Sequence, residues 1–207
     1  MTFMADKGVD ANGNARRMWI AAIIVAALQT AVLGYMVGER AWGLRSGVEV
    51  VLKTAPVDPR DLLRGDYVTL NYDISRVPVS TLVGGPPKES LIDQILSVRL
   101  KKKQDDGYWG IVESSLGTLD PKPDTVVLKS LPFDYVSYGD LTDTSQATMA
   151  VTYGIERYYV PEGEGHAIES ARNDSRVAIA ARVSSDGAAH IRTLLLDGKS
   201  VYEEPLY

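Results

Sequence analysis

Few side chains in this sequence are of kinds that do chemistry, and two groups of them are spaced so that they could act together. The first surrounds His166, one of two histidines in the chain. Glu162 and Glu164 precede it and Glu169 follows. On a helix His166 and Glu169 share a face. With a third ligand from elsewhere they could hold a divalent cation, which would make a metal-dependent binder or enzyme. The bland alternative is an acidic helix start carrying a solvated histidine, and it is preferred, so neither a metal nor a cofactor is expected. The other histidine, His190, opens a strand and is expected to be exposed. The second group is Asp58, Asp61 and Asp66, interleaved with Arg60 and Arg64. A carboxylate pair such as Asp58 and Asp66 could move protons for a substrate. Neighbouring guanidiniums hold both carboxylates ionised, which favours a charge-braced turn over acid–base work. Arg64-Gly65-Asp66 also spells the adhesion tripeptide, but three residues recur by chance, and here they sit inside a strand-entry turn.

Other chemistries are missing their residues. There is no cysteine, so disulfides and thiolate zinc sites are excluded. Gly-x-Ser-x-Gly, His-Glu-x-x-His and phosphate-loop patterns are absent. A proline turn leading into Gly-Asp and a strand faintly resembles membrane-anchored signal peptidases, which need a serine activated by a lysine. The corresponding stretch, Ala55 to Arg64, contains no serine, and likeness of fold alone licenses no activity. The net charge of -5 gives no footprint for nucleic acid. The one basic run, Lys101-Lys102-Lys103, is followed at once by Asp105-Asp106. An enzyme is therefore not the expected reading.

The second group is positioned by a turn and a strand. Asp58 suits a helix N-cap, Pro59 the first helical position, and Gly65 the point where the turn gives way to the strand. Asp66 can accept hydrogen bonds from amides of that turn. Tyr67 to Ile74 then alternates, with Val68, Leu70, Tyr72 and Ile74 on one face and Tyr67, Thr69, Asn71 and Asp73 on the other. Leu70 and Tyr72 belong to the core. Tyr67 either caps a second core or is presented to a partner. The candidate interaction residues are thus Asp58, Arg60, Asp61, Arg64, Gly65, Asp66, Tyr67, Leu70 and Tyr72; His166 and Glu169 remain weak metal candidates.

The rest of the chain after residue 45 reads mostly as strands: Val48 to Lys53, Gln94 to Lys103, Tyr108 to Ser114, Thr125 to Lys129, and Ala150 to Val160 with a bulge at Gly154. Arg176 to Ser184, Ala189 to Leu196 and Lys199 to Glu203 are joined by Asp186-Gly187 and Asp197-Gly198, the signature of an antiparallel meander. Glu164 to Asn173 is the one short helix besides the turn at Asp58. Long loops run from Val77 to Ser90 and from Leu131 to Ala147. The expected fold is mainly β (α+β): an antiparallel sheet or barrel-like domain over residues 46–207 with one or two short helices.

Before it stands an apolar run, Trp19 to Val37, without a charge. At the helical rise it spans about 28 Å, against a hydrocarbon core of ~30 Å. Arg16-Arg17 on its N-terminal side favours a cytoplasmic N-terminus, although Arg40 and Arg45 weaken the contrast. The organisation expected is a disordered cytoplasmic tail (1–17), a transmembrane helix (18–38) and an exported domain (46–207). A cleaved signal peptide is the main alternative, but Glu39-Arg40-Ala41 makes a poor cleavage site; a buried core helix would show a polar face. Gln29, mid-span, either bonds a partner helix or satisfies itself locally.

Gly65-Asp66-Tyr67-Val68-Thr69-Leu70-Asn71-Tyr72 completes the signature after which the GDYXXLXY family is called, and the chain resembles that family. Tyr153 to Glu169 is similar to the family's second block, and the likeness extends loosely over residues 48–200. The resemblance implies a bacterial, membrane-anchored protein whose domain lies outside. It supplies no activity, cofactor or catalytic residue to carry over. Family members encoded beside or fused to multi-spanning membrane proteins imply an envelope complex. The function expected is thus an anchored interaction module in the bacterial inner membrane, with a periplasmic domain and an integral membrane protein as partner. The alternatives are the metal-dependent reading at Glu162, Glu164, His166 and Glu169, and a sensor that holds a small ligand in its β-domain.

Overall fold

The computed structural model describes residues 11–56, 67–137, 146–159 and 165–203. By contact the chain divides into two units, one reaching to Ala41 and one running from Trp42 to Leu206.

The first unit holds most of α1 (Ala11–Ser46). The helix begins before the expected span and continues past it. Within it Arg16–Gly38, 23 residues, is long and apolar enough to cross a membrane, and none of it is buried. Trp19, Ile23, Ile24, Leu28 and Leu33 are exposed on different sides, and a helix apolar all round has no polar face to give to water. Thr30 donates its hydroxyl hydrogen bond to the Ala26 carbonyl at 2.9 Å, which removes an unpaired polar group from the run. Length and composition of this kind belong to a membrane anchor or to a signal sequence.

Among the described residues the second unit is built of strands with one short α-helix. In chain order they are β1 (Val48–Ala55), β2 (Tyr67–Thr69), β3 (Asn71–Tyr72), β4 (Arg76–Pro78), β5 (Leu91–Gln94), β6 (Ser97–Lys102), β7 (Trp109–Ser115), β8 (Thr125–Lys129), β9 (Phe133–Tyr135), β10 (Thr148–Ala150) and β11 (Arg157–Tyr159). Helix α2 (Gly165–Asn173) follows, then β12 (Val177–Val183), β13 (Ala189–Leu196) and β14 (Lys199–Glu203). A five-stranded sheet has the order β14-β13-β12-β1-β3, and a three-stranded sheet the order β7-β6-β8. Three two-stranded ribbons complete the set, β10-β4, β11-β2 and β5-β9. The pairings between these strands are antiparallel. The mainly β, α+β expectation holds, but among the described residues the sheets end in open edges and no barrel closes.

The C-terminal meander forms as its turns dictate. Asp197 and Gly198 both take positive φ, 50° and 74°, as a two-residue turn matched to strand twist requires. At the preceding turn Gly187 has φ 89°, and Ser184 N–H donates to the Ala188 carbonyl at 2.9 Å. Asp106-Gly107 likewise lies in the β6–β7 connection, where Lys103 N–H reaches the Tyr108 carbonyl at 2.8 Å.

Two expected strands are interrupted. Tyr67 to Ile74 divides into β2, β3 and a 3-10 turn, Asp73–Ser75. The chain changes partner here: β2 pairs with β11, while β3 pairs with β1 through Thr54 opposite Tyr72. Side-chain alternation survives the corner, since Val68, Leu70, Tyr72 and Ile74 are all buried. Ala150 to Val160 also divides, into the end of β10 and β11. Gly154, at φ 81°, sits in the bend between them. There the Glu156 carboxylate accepts hydrogen bonds from the amides of Tyr153 and Gly154, which replaces ladder bonds with a local turn.

Candidate functional site

The signature segment and the second sequence block are joined in space. In the β2–β11 ribbon Tyr67 stands opposite Tyr159, Val68 opposite Tyr158 and Thr69 opposite Arg157. Just beyond it the Leu70 amide donates to the Glu156 carbonyl at 2.8 Å.

Toward the core, two tyrosines clasp the blocks reciprocally. Tyr72, from the signature, donates its hydroxyl hydrogen bond to the Ile155 carbonyl. Tyr153, from the second block, donates to the Ile74 carbonyl at 2.7 Å. Both rings are buried. Burial raises the pKa of both phenols well above the ordinary tyrosine value, and the Glu156 carboxylate adds to the rise. These hydroxyls therefore stay protonated and act as hydrogen-bond donors. A proton-transfer role near neutral pH would need the opposite tuning.

Helix α2 fastens the same ribbon. Its Arg172, 2% exposed, donates to the Thr69 carbonyl. Its Nε and one terminal nitrogen reach Asn173 Oδ1 at 3.2 and 3.1 Å. A guanidinium so buried needs hydrogen bonds to offset the loss of water, and here they tie the helix end to β2.

The outer face of the ribbon is different. The Tyr67 and Tyr159 rings lie 6.0 Å apart at 60°, a tilted arrangement that aromatic pairs favour. The Arg157 guanidinium carbon stands 5.6 Å from the Tyr67 ring centre, within cation–π range. Tyr67 is half-buried in this cluster, whereas Tyr159 remains 70% exposed. The structure thus gives Tyr67 to an outward-facing aromatic–cationic patch.

Of the residues singled out by sequence, Leu70 and Tyr72 are core and Tyr67 is in the patch. Asp58, Arg60, Asp61, Arg64, Gly65 and Asp66 lie outside the described residues, as do Glu162, Glu164 and the side chains of His166 and Glu169. Among the described residues no three metal-ligating side chains converge. His190 is half-buried on β13, opposite Arg182, where exposure was expected.

Tyr153, Glu156, Arg157, Tyr159 and Arg172 are prominent here and were not singled out. The signal for the first four was their place in the second block; Arg172 had none, since a lone arginine on a short helix reads as surface. A further buried cation, Arg99 on β6, is 2% exposed. It donates from Nε to Glu113 at 2.6 Å and from a terminal nitrogen to the Asp120 carbonyl at 2.7 Å. Lys122 also bonds Glu113, at 2.9 Å, and the two cations hold that carboxyl below the usual range, Lys122 foremost. This cluster braces β6 against β7 and the 116–124 loop.

Comparison with known families gives one match, to the model of the GDYXXLXY protein family over residues 29–194. The match covers the end of the apolar span, the signature, the second block and the meander as far as β13. Searches of curated proteins and of solved structures give no match.

Proposed function

The chain belongs to the GDYXXLXY family, and on that premise we propose that it is a single-pass protein of the bacterial inner membrane whose β-rich domain is a non-enzymatic, periplasmic interaction module. The observation that carries this reading is the outer face of the β2–β11 ribbon. There the signature residue Tyr67 and the second-block residues Arg157 and Tyr159 form one patch. Exposed tyrosines and arginine are the residues that most often anchor protein interfaces. The patch is brought together from two distant segments by buried bonds, so its geometry is fixed before any partner arrives. Preorganisation of this kind lowers the entropic cost of docking.

The uncleaved α1 span keeps the domain close to the bilayer, and the partner is an integral membrane protein. A photoreactive residue in place of Tyr159, in the full-length chain in intact cells, is expected to capture one defined membrane protein. Combining it with Tyr67→Ala and Arg157→Ala should weaken capture, while circular dichroism reports an unchanged fold. Recovery of free monomer alone would remove the reading.

A further inference from the structure

Strand β8 is an edge of its sheet, order β7-β6-β8. Ser130 N–H, just past β8, donates back to the Leu96 carbonyl at 2.9 Å. Antiparallel strands alternate the side on which backbone groups point, so Val126 and Leu128 also face β6. Thr125, Val127 and Lys129 then turn their N–H and C=O groups outward. One of these bonds is made: Lys129 N–H reaches the Gly187 carbonyl at 2.9 Å, in the β12–β13 turn. A Cβ on Gly187 would lie 3.3 Å from the Val127 carbonyl oxygen, so the turn also covers that group. The next outward pair, the Val127 N–H and the Thr125 C=O, has no partner among the described residues.

That open pair faces a cleft of about 440 Å³. Val48, Leu119 and Val183 line it together with Thr125 and Val127, and Ser46, the last residue of α1, also lines it. The cleft is thus mainly apolar, with a main-chain donor and acceptor along one wall. An extended peptide supplies the complementary acceptor and donor at strand spacing, ~4.8 Å away, and its side chains fill the apolar space. In sequence Ser46 comes eight residues after Gly38, the end of the apolar span, so only a short stretch of chain separates the cleft from a segment that a membrane would hold.

We propose that β8 takes up a short, extended, apolar segment of the integral membrane partner as an added strand, paired through Val127 N–H and Thr125 C=O. This rests on the interaction-module reading and names a second contact, separate from the Tyr159 patch.

The test uses the full-length chain in its own membrane, with a photoreactive residue in place of Leu119 and, separately, of Tyr159. Val127→Pro removes the outward N–H while leaving the β6 ladder intact, because proline is tolerated where an edge amide faces away from its sheet. Val127→Thr is the control, and Val48→Arg fills the cleft independently. Leu119 capture should map to an extended apolar segment of a membrane protein. Val127→Pro and Val48→Arg should each lower it about tenfold, the loss that one or two backbone hydrogen bonds produce, and Val127→Thr should leave it within about twofold. If Val127→Pro loses its fold by circular dichroism, Val48→Arg decides. Capture undiminished by these variants overturns strand addition. Capture of a second copy of this chain, or none from Leu119 while Tyr159 still captures a partner, overturns this proposal and spares the module. No capture from either position removes both.

Discussion

Tyr72 and Tyr153 carry the clearest residue-scale consequences of the structure. Each hydroxyl satisfies a carbonyl of the other block, Ile155 and Ile74. Tyr72→Phe or Tyr153→Phe keeps the ring and leaves that carbonyl without its donor, which costs about 1–3 kcal/mol. Chemical denaturation should show each loss, and the double variant should show coupling, because the two bonds close the same corner. Both phenols have raised pKa values through burial and the nearby Glu156. The folded state therefore holds protons that the unfolded state releases above about pH 10. Stability from these groups is fully present below that pH and is lost as pH rises, by about 1.4 kcal/mol per pH unit for each phenol. Alkaline unfolding of the double variant should have a shallower pH dependence, read as tyrosinate absorbance against circular dichroism. The burial of Leu70 and Tyr72 was legible from alternation alone. Their partners were not, since Tyr72 and Ile155 stand 83 residues apart and Arg172 and Thr69 stand 103 apart, and no local pattern encodes a bond of that reach.

At the scale of elements, periodicity and pairing part company. From Val151 to Ile155 the burial still alternates, with Val151, Tyr153 and Ile155 inside, and Tyr158 is inside one residue out of phase; the long aromatic run made a continuous strand the natural expectation. The backbone bonds go elsewhere: Val151 N–H to Ser75, Leu131 N–H to Thr152 and Leu70 N–H to Glu156. Alternation reports which way side chains point and says nothing of which strand lies alongside. The meander was legible because its turns are local and their Asp-Gly chemistry sets their geometry. Gly154 is where the irregular segment depends on one residue, at φ 81°. Gly154→Ala forces an L residue into that conformation, at a cost of about 1–3 kcal/mol. The added Cβ would meet only Leu131 side-chain carbons, from 3.8 Å, so backbone strain and not crowding is the cause. Gly117→Ala, whose Cβ would meet only the Ser115 hydroxyl at 3.6 Å, should change stability by no more than about 0.5 kcal/mol. Thermal melts of the two variants compare a conformational glycine with a permissive one.

For the whole molecule the question is whether α1 is kept as a membrane span and, if so, which way round it lies. Arg16 and Arg17 stand at the N-terminal border of the span, and Arg40 and Arg45 follow it, so charge alone favours a cytoplasmic N-terminus only weakly. The rest of the reading depends on that orientation and on retention of the span, because a cleaved domain would drift from a partner fixed in the membrane. The absence of cysteine makes the test free of background. Thr2→Cys marks the N-terminus, and Ser185→Cys marks an exposed turn of the domain. In cells with an opened outer membrane, an impermeant maleimide should label the Ser185→Cys chain at once and the Thr2→Cys chain only after lysis. Both labelled chains should migrate at the full mass of 22.6 kDa. Reversed labelling would put the domain in the cytoplasm. A domain that keeps its Ser185 label at reduced mass, with the Thr2 label lost, would make α1 a signal sequence, and the β8 cleft and the Tyr159 patch would then have to find their partner in solution.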